Sequence, residues 1–387
     1  MDSAEEEIMP AYHQMGHDSR NLLFEQELSS YEGAILSPVN EDEESMTQFI
    51  NGMHQRNNEF IFIFDPQLYL PSSCKTKLKE WNYFPNDVET AALADLDWWN
   101  NILAELVETG CRVGFDRICS PVFFPARFST EYYESMIQIG NSLLNMIGSP
   151  NSYQTILLPL NELAEYSRVM ELASIHTNVR SENLYVIFFS DTVGRRELDN
   201  DSELKGAMKF IQLLTQNNFN ISVGYSSADA ILWKEAGARN CATGKYFNLR
   251  RFSLDRWDDE ESEGRAISYM IEENLLGLFR DSDIIRLESN SLISLTTMNN
   301  PFYPQLRRNI DSGEAWLALS WRFYLYWFSS VINRIENSTT SPEVLIESAD
   351  ENWGIVEDNR IIFEERRNNG NWLRRWLRAV LEFQTPW

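Results

Sequence analysis

Asp65 stands directly behind the apolar run Phe60-Ile61-Phe62-Ile63-Phe64 and directly before Pro66. A carboxylate at the end of a buried strand is expensive unless it is paired or used, and the proline fixes the exit of the loop. Its chemistry is that of a general acid/base, a nucleophile, or a hydrogen-bond acceptor for a base or sugar. The structural alternative is an Asp that caps the next turn through its own backbone. Gln67 and Tyr69 follow in the same loop as substrate-orienting groups. Asp191, behind the apolar run Leu184 to Phe189, is a second carboxylate candidate.

His13 and His17 are two of only four histidines. Their i, i+4 spacing would chelate a metal on a helix, but Gly16 between them breaks one. No histidine lies near Pro159, Asp191 or Thr243, so no metal centre is expected, and His13 is kept as a candidate general base. Positive charge concentrates at Gly244-Lys245 and Arg250-Arg251. Lys245 and Arg250, with Tyr225 and Ser226 from the loop before, are candidates to hold a phosphate. The alternative is that Arg250 and Arg251 pair with the acidic stretch Asp255 to Glu263. No G-x-S-x-G elbow, G-x-G-x-x-G or P-loop is present, and no cofactor is expected.

Eight strand-helix units position these residues. Strands are expected at Tyr12–Met15, Ala34–Pro38, Phe60–Phe64, Arg117–Ser120, Thr155–Leu158, Leu184–Phe189, Asn220–Gly224 and Arg239–Thr243. Amphipathic helical patterns run between them, for example Met46, Phe49, Ile50 and Met53 on one face. A helix is expected from Leu93 to Val107, closed by Gly110. Continuous apolar strands separated by helices imply a parallel sheet covered on both faces, and eight units make a closed (β/α)₈ TIM-like barrel with its reacting groups on the loops after the strands. The division expected is a barrel over 1–285, closed by a helix at Ile267–Phe279, and a Trp-rich C-terminal α-helical extension over 286–387. In that extension Trp372, Trp376 and Phe383 form an aromatic stripe that must be buried, either on the helix Gly313–Ile332 or on a protein partner.

The net charge of -25 argues against non-specific duplex binding, which needs a basic face. Four cysteines without a C-x-x-C pair, an acidic N-terminus and no apolar run of membrane length point to a cytoplasmic chain with no membrane association.

The run Ile221-Ser222-Val223-Gly224-Tyr225-Ser226-Ser227-Ala228-Asp229-Ala230-Ile231-Leu232, continuing through Ala236-Gly237-Ala238 to Leu249-Arg250-Arg251-Phe252, resembles the late barrel segment of tRNA-guanine transglycosylases. The cysteine-rich zinc site of that family has no counterpart here, and Asn240-Cys241-Ala242-Thr243 holds no aspartate to match its nucleophile. The resemblance points to nucleoside or nucleic-acid chemistry. Two readings follow. One is an enzyme of glycosyl transfer or hydrolysis on a phosphorylated, nucleoside-like or nucleic-acid substrate, with Asp65, His13 and Asp191 as catalytic groups. The other is a non-catalytic barrel that serves as scaffold or interaction subunit of a larger assembly, docking a protein partner through the C-terminal helical region.

Overall fold

Strands whose residues are apolar on both faces need helices on one side and a filled axis on the other. The computed structural model describes residues 11–73, 75–257, 267–365 and 368–387. The acidic N-terminus, Cys74, Arg366 and most of the acidic stretch after Asp255 lie outside them. Eight strands, β1 (Ala11–Gln14), β2 (Gly33–Leu36), β3 (Ile61–Phe64), β4 (Arg117–Cys119), β5 (Ser152–Pro159), β6 (Asn183–Phe189), β7 (Asn220–Val223) and β8 (Asn240–Thr243), form a closed barrel in sequence order. Every pair is parallel, and β8 closes on β1 with His13 opposite Thr243. This is the expected (β/α)₈ barrel.

The interstrand helices are α1 (Arg20–Leu23), α2 (Glu43–His54), α3 (Thr76–Lys79), α4 (Leu96–Val113), α5 (Thr130–Ile147), α6 (Tyr166–His176), α7 (Asp201–Gln216) and α8 (Ala230–Glu235). Side-chain caps start several of them: Asp42 accepts from the Ser45 N–H, Ser129 from Tyr132, and Asn200 from Glu203. Helix α4 runs past the expected stop at Gly110 to Gly114, which takes the left-handed cap conformation at φ 92°. Gly110 serves packing instead, because a Cβ there would come within 2.6 Å of the Ile118 side chain.

The segment Ile267–Phe279 is not the closing helix. It holds the antiparallel hairpin β9 (Met270–Glu272) and β10 (Gly277–Phe279), turned at Leu276 with φ 45°. Its apolar residues mimic a helical period, but left-handed Leu276 followed by Gly277 makes a turn. Beyond it come α9 (Asp281–Ser289), α10 (Leu295–Met298), α11 (Tyr303–Ser312), α12 (Leu317–Glu336), α13 (Pro342–Asp358) and α14 (Asn371–Glu382). Helix α12 packs on β1, on α8 and on the 3-10 turn Gln26–Leu28, which is the position of an eighth barrel helix. The Tyr31 hydroxyl donates to the Leu325 carbonyl, Arg322 grips both oxygens of Glu25, and Lys234 pairs with Glu336 at 2.6 Å. Its apolar faces are explained by the barrel on one side and α11 and β9 on the other.

Helix α14 lies on α7 and α13 rather than on α12. Trp376 is fully buried and its indole N–H donates to the Leu198 carbonyl at 2.7 Å; Trp372 and Phe383 are also buried. The aromatic stripe offered to a partner by the sequence is therefore consumed inside the chain, while Arg374 and Arg378 pair with Asp350 and Asp201 on the flanking helices. Replacing Trp376 by Ala removes this anchor and should lower stability by about 3–5 kcal/mol in urea unfolding; a loss under about 1 kcal/mol would show that α14 is dispensable to the barrel.

Candidate functional site

Polar side chains from several strand ends meet at the C-terminal mouth of the barrel. Gln14, at the end of β1, accepts from the Tyr185 hydroxyl of β6 at 3.2 Å. Asp65 follows β3 and is 2% exposed. One carboxylate oxygen accepts the Gln67 backbone N–H at 3.1 Å, and the other accepts the Tyr69 hydroxyl at 2.8 Å. Gln67 takes a left-handed φ of 52°, and the Asp65 carboxylate holds that turn. Asp65 thus caps its own loop and also presents a side-chain oxygen to the mouth. From Gln67 the network continues: Nε2 donates to the Tyr225 hydroxyl at 3.4 Å, Oε1 accepts from Ser37, and Ser37 accepts from Arg256 at 2.9 Å. Burial pushes the Asp65 carboxyl up to about 6, against the pull of Tyr69, Gln67 and Arg256.

An aromatic layer roofs this network. The Tyr69 ring meets Phe252 at 4.9 Å and Trp257 at 4.8 Å, Tyr225 meets Phe252 at 5.3 Å, and Phe252 meets Trp257 at 5.2 Å. Ser73 donates to the Trp257 carbonyl and holds the layer down. Two cavities open beside it and share Phe189 and the loop Ser190–Val193. One, of about 710 Å³, is walled by Arg127 and Arg196 and by the acids Glu162, Asp191, Glu197, Asp199 and Glu203. The other, of about 610 Å³, has Phe252 and Arg256 of the roof segment in its wall.

The remaining candidates lie elsewhere. Asp191 is exposed at the rim of both cavities and makes no contact with Asp65. His13 is fully buried against Tyr31, with its neighbour Gln14 reaching into the barrel; neither ring nitrogen has a partner. Burial and the nearby Lys245 push its imidazole down to about 3, so it is neutral at pH 7. Lys245 lies 4.8 Å from the rings of Tyr246 and Trp321. Arg250 donates to the carbonyls of Gly244 and Lys245 and lies 3.3 Å from the Tyr324 ring centre. Its guanidinium is thereby engaged by the β8 exit and by α12. Ser226 is tied by its N–H to Ala242 and by its hydroxyl to Val223. The anion position before α8 is filled by the chain itself: Asp229 accepts the Ser227 N–H at 2.6 Å and pairs with Arg251 at 3.2 Å. Sequence reasoning overlooked Gln14 and Arg256. The signal for Arg256 was the alternation of basic and aromatic residues from Arg250 to Trp257, masked by the acidic stretch beyond.

Among the described residues no group of three or more His, Cys, Asp or Glu is placed to hold a metal ion, and no helix is long and apolar enough to cross a membrane.

The topology defines a parallel eight-stranded barrel with α12 over its closing seam. No protein-family model matches the sequence, and no curated protein is similar to it. Among solved structures, the chain is similar to "QR15, an Aldolase" at 12% identity, with a TM-score of 0.36 over 60% of this chain and 88% of that one. It is similar also to the enoyl reductase domain of MlnA from the macrolactin biosynthesis cluster of Bacillus amyloliquefaciens, at 11% identity, with a TM-score of 0.31 over 98% and 97%. Neither match shows a tRNA-guanine transglycosylase, and neither carries an activity to this chain.

A carboxyl raised by burial keeps its proton to about pH 6 in the folded chain but loses it near 3.8 when unfolded, so its contribution favours folding at low pH and fades between those values. Relative to the natural chain, Asp65→Asn should therefore gain on the order of 3 kcal/mol in urea unfolding between about pH 4 and pH 7. A difference that stays constant with pH would place the carboxylate in contact with water.

Proposed function

We propose that the barrel is an enzyme in which the Asp65 carboxyl gives or takes a proton on a phosphorylated, nucleoside-like substrate, in a glycosyl-transfer or hydrolytic step. The observation that carries this reading is the state of Asp65. It sits at the C-terminal end of a barrel strand, where reacting groups lie in this fold. Burial holds its carboxyl near 6, and Tyr69 and Gln67 fix its orientation. A group with that value is mostly ionised at neutral pH yet basic enough to take a proton. Tyr69, which binds Asp65, packs on Phe252, and Phe252 lines the cavity of about 610 Å³, a volume suited to one small ligand.

A second reading is favoured by the roof itself. Tyr69, Phe252 and Trp257 close the axis, and a substrate must displace part of that layer to touch Asp65. On this reading the barrel is a non-catalytic interaction subunit. Since α14 is committed to α7 and α13, a partner would dock on the outer faces of the C-terminal helices.

Turnover of nucleoside 5′-monophosphates, followed as release of free base or phosphate, separates the two. Asp65→Asn should leave the circular dichroism spectrum intact and lower kcat by about 100-fold or more. No turnover in the natural chain favours the interaction subunit, whereas full turnover in the variant removes Asp65 from the reaction.

A further inference from the structure

We propose that Arg251 and Arg256 form an oxyanion site for an aromatic phosphomonoester in the cavity of about 610 Å³ beside the barrel mouth. The proposal deepens the reading of this mouth as a substrate site and rests on it. Both arginines line the cavity, together with Phe124, Phe189, Phe247 and Phe252. Arg251 is 3% exposed; one terminal nitrogen pairs with Asp229 at 3.2 Å and the other donates to the Arg196 carbonyl at 3.4 Å. Among the described residues, Arg256 donates from Nη2 to the Ser37 hydroxyl at 2.9 Å. In each guanidinium the Nε–H is buried and, among the described residues, has no acceptor. A buried donor on a charged group is costly to leave unpaired, and two arginines that each carry one and line the same cavity match an anion with several oxygens, which arginine forks bind through parallel hydrogen bonds.

The aromatic half of the ligand follows from the other wall. Phe124 and Phe189 lie with ring centres 4.9 Å apart, and Phe189 and Phe252 are 6.0 Å apart, leaving ring faces and edges to pack a planar group. Asp191 and Asp255 also line the cavity, but both are exposed, so a bound anion belongs on the side of buried Arg251 and half-buried Arg256. A polynucleotide fits poorly, because the chain carries a net charge of -25 and the cavity holds one small ligand. Arg256 also donates to Ser37, which binds Gln67 beside Asp65. A phosphate drawing Arg256 toward the cavity would loosen the roof where the substrate must enter.

Isothermal titration of the full chain with phenyl phosphate tests this, with phenol and inorganic phosphate as half-ligands. Phenyl phosphate should bind more tightly than either half. Arg256→Gln should weaken it by about tenfold or more, with Lys245→Gln matching the natural chain. Arg256→Lys, which keeps the charge and loses the fork, should fall between, and decides the matter if the Gln variant does not fold. Absence of phenyl phosphate binding at about 10 mM overturns the site. So does unchanged binding in both Arg256 variants, or a loss carried by Lys245→Gln, which would return the anion to the β8 exit. The readout is binding alone, so binding without turnover sinks the role of Asp65 and spares the arginine site. Turnover unaffected in the Arg256 variants does the reverse.

Discussion

Closure of the seam between β8 and β1 is the constraint on which the rest depends. A parallel barrel leaves the outer face of every strand apolar, and each seam needs a helix. After β8 the chain first makes a hairpin and three helices, and only then supplies the cover as α12. The seam is consequently held by contacts distant in sequence: Tyr31 to Leu325, Glu25 to Arg322, Thr243 to Tyr324, and Lys234 to Glu336. Three basic residues that read as ligand contacts belong to this seam. His13 packs on Tyr31, Lys245 on Trp321, and Arg250 on Tyr324. Their burial follows from closing the barrel, with cation–π contacts compensating part of the desolvation of Lys245 and Arg250.

The mouth contrasts with the seam. Its polar groups come from the loops after β2, β3, β7 and β8 and bond mainly to one another, so that Asp65, Gln67, Tyr69, Tyr225, Ser37 and Arg256 form one connected network. Apolar packing alone would stabilise a barrel axis without the desolvation of a carboxyl and a guanidinium. The network fixes the loop after β3 through the left-handed turn at Gln67. A second raised acid is half-buried Glu197, whose carboxyl desolvation and the charge of Asp229 push up to about 8. The loops after β6, β7 and β8 therefore share one strained balance of charge in which Arg251 is central.

The sequence by itself determined the barrel, because period and length are local properties. Runs such as Phe60–Phe64 and Leu184–Phe189 are too short and too apolar for surface helices, and the amphipathic helices between them leave parallel pairing as the way to bury both faces. It also marked Asp65, since a carboxylate closing an apolar strand is visible without coordinates. Tertiary structure alone decided which polar residues meet. Strand alternation sends Gln14 to Tyr185 and His13 to Tyr31, and a shift of one residue would exchange them. Whether Arg250 or Arg256 keeps a free donor depends on where α12 and the loop after β8 fold back, and that is fixed by contacts between residues far apart in the chain. Local patterns specify elements, while a site is a matter of distances between elements, and in this barrel the decisive distances were set by a helix, α12, that the chain supplies only after a hairpin and three further helices.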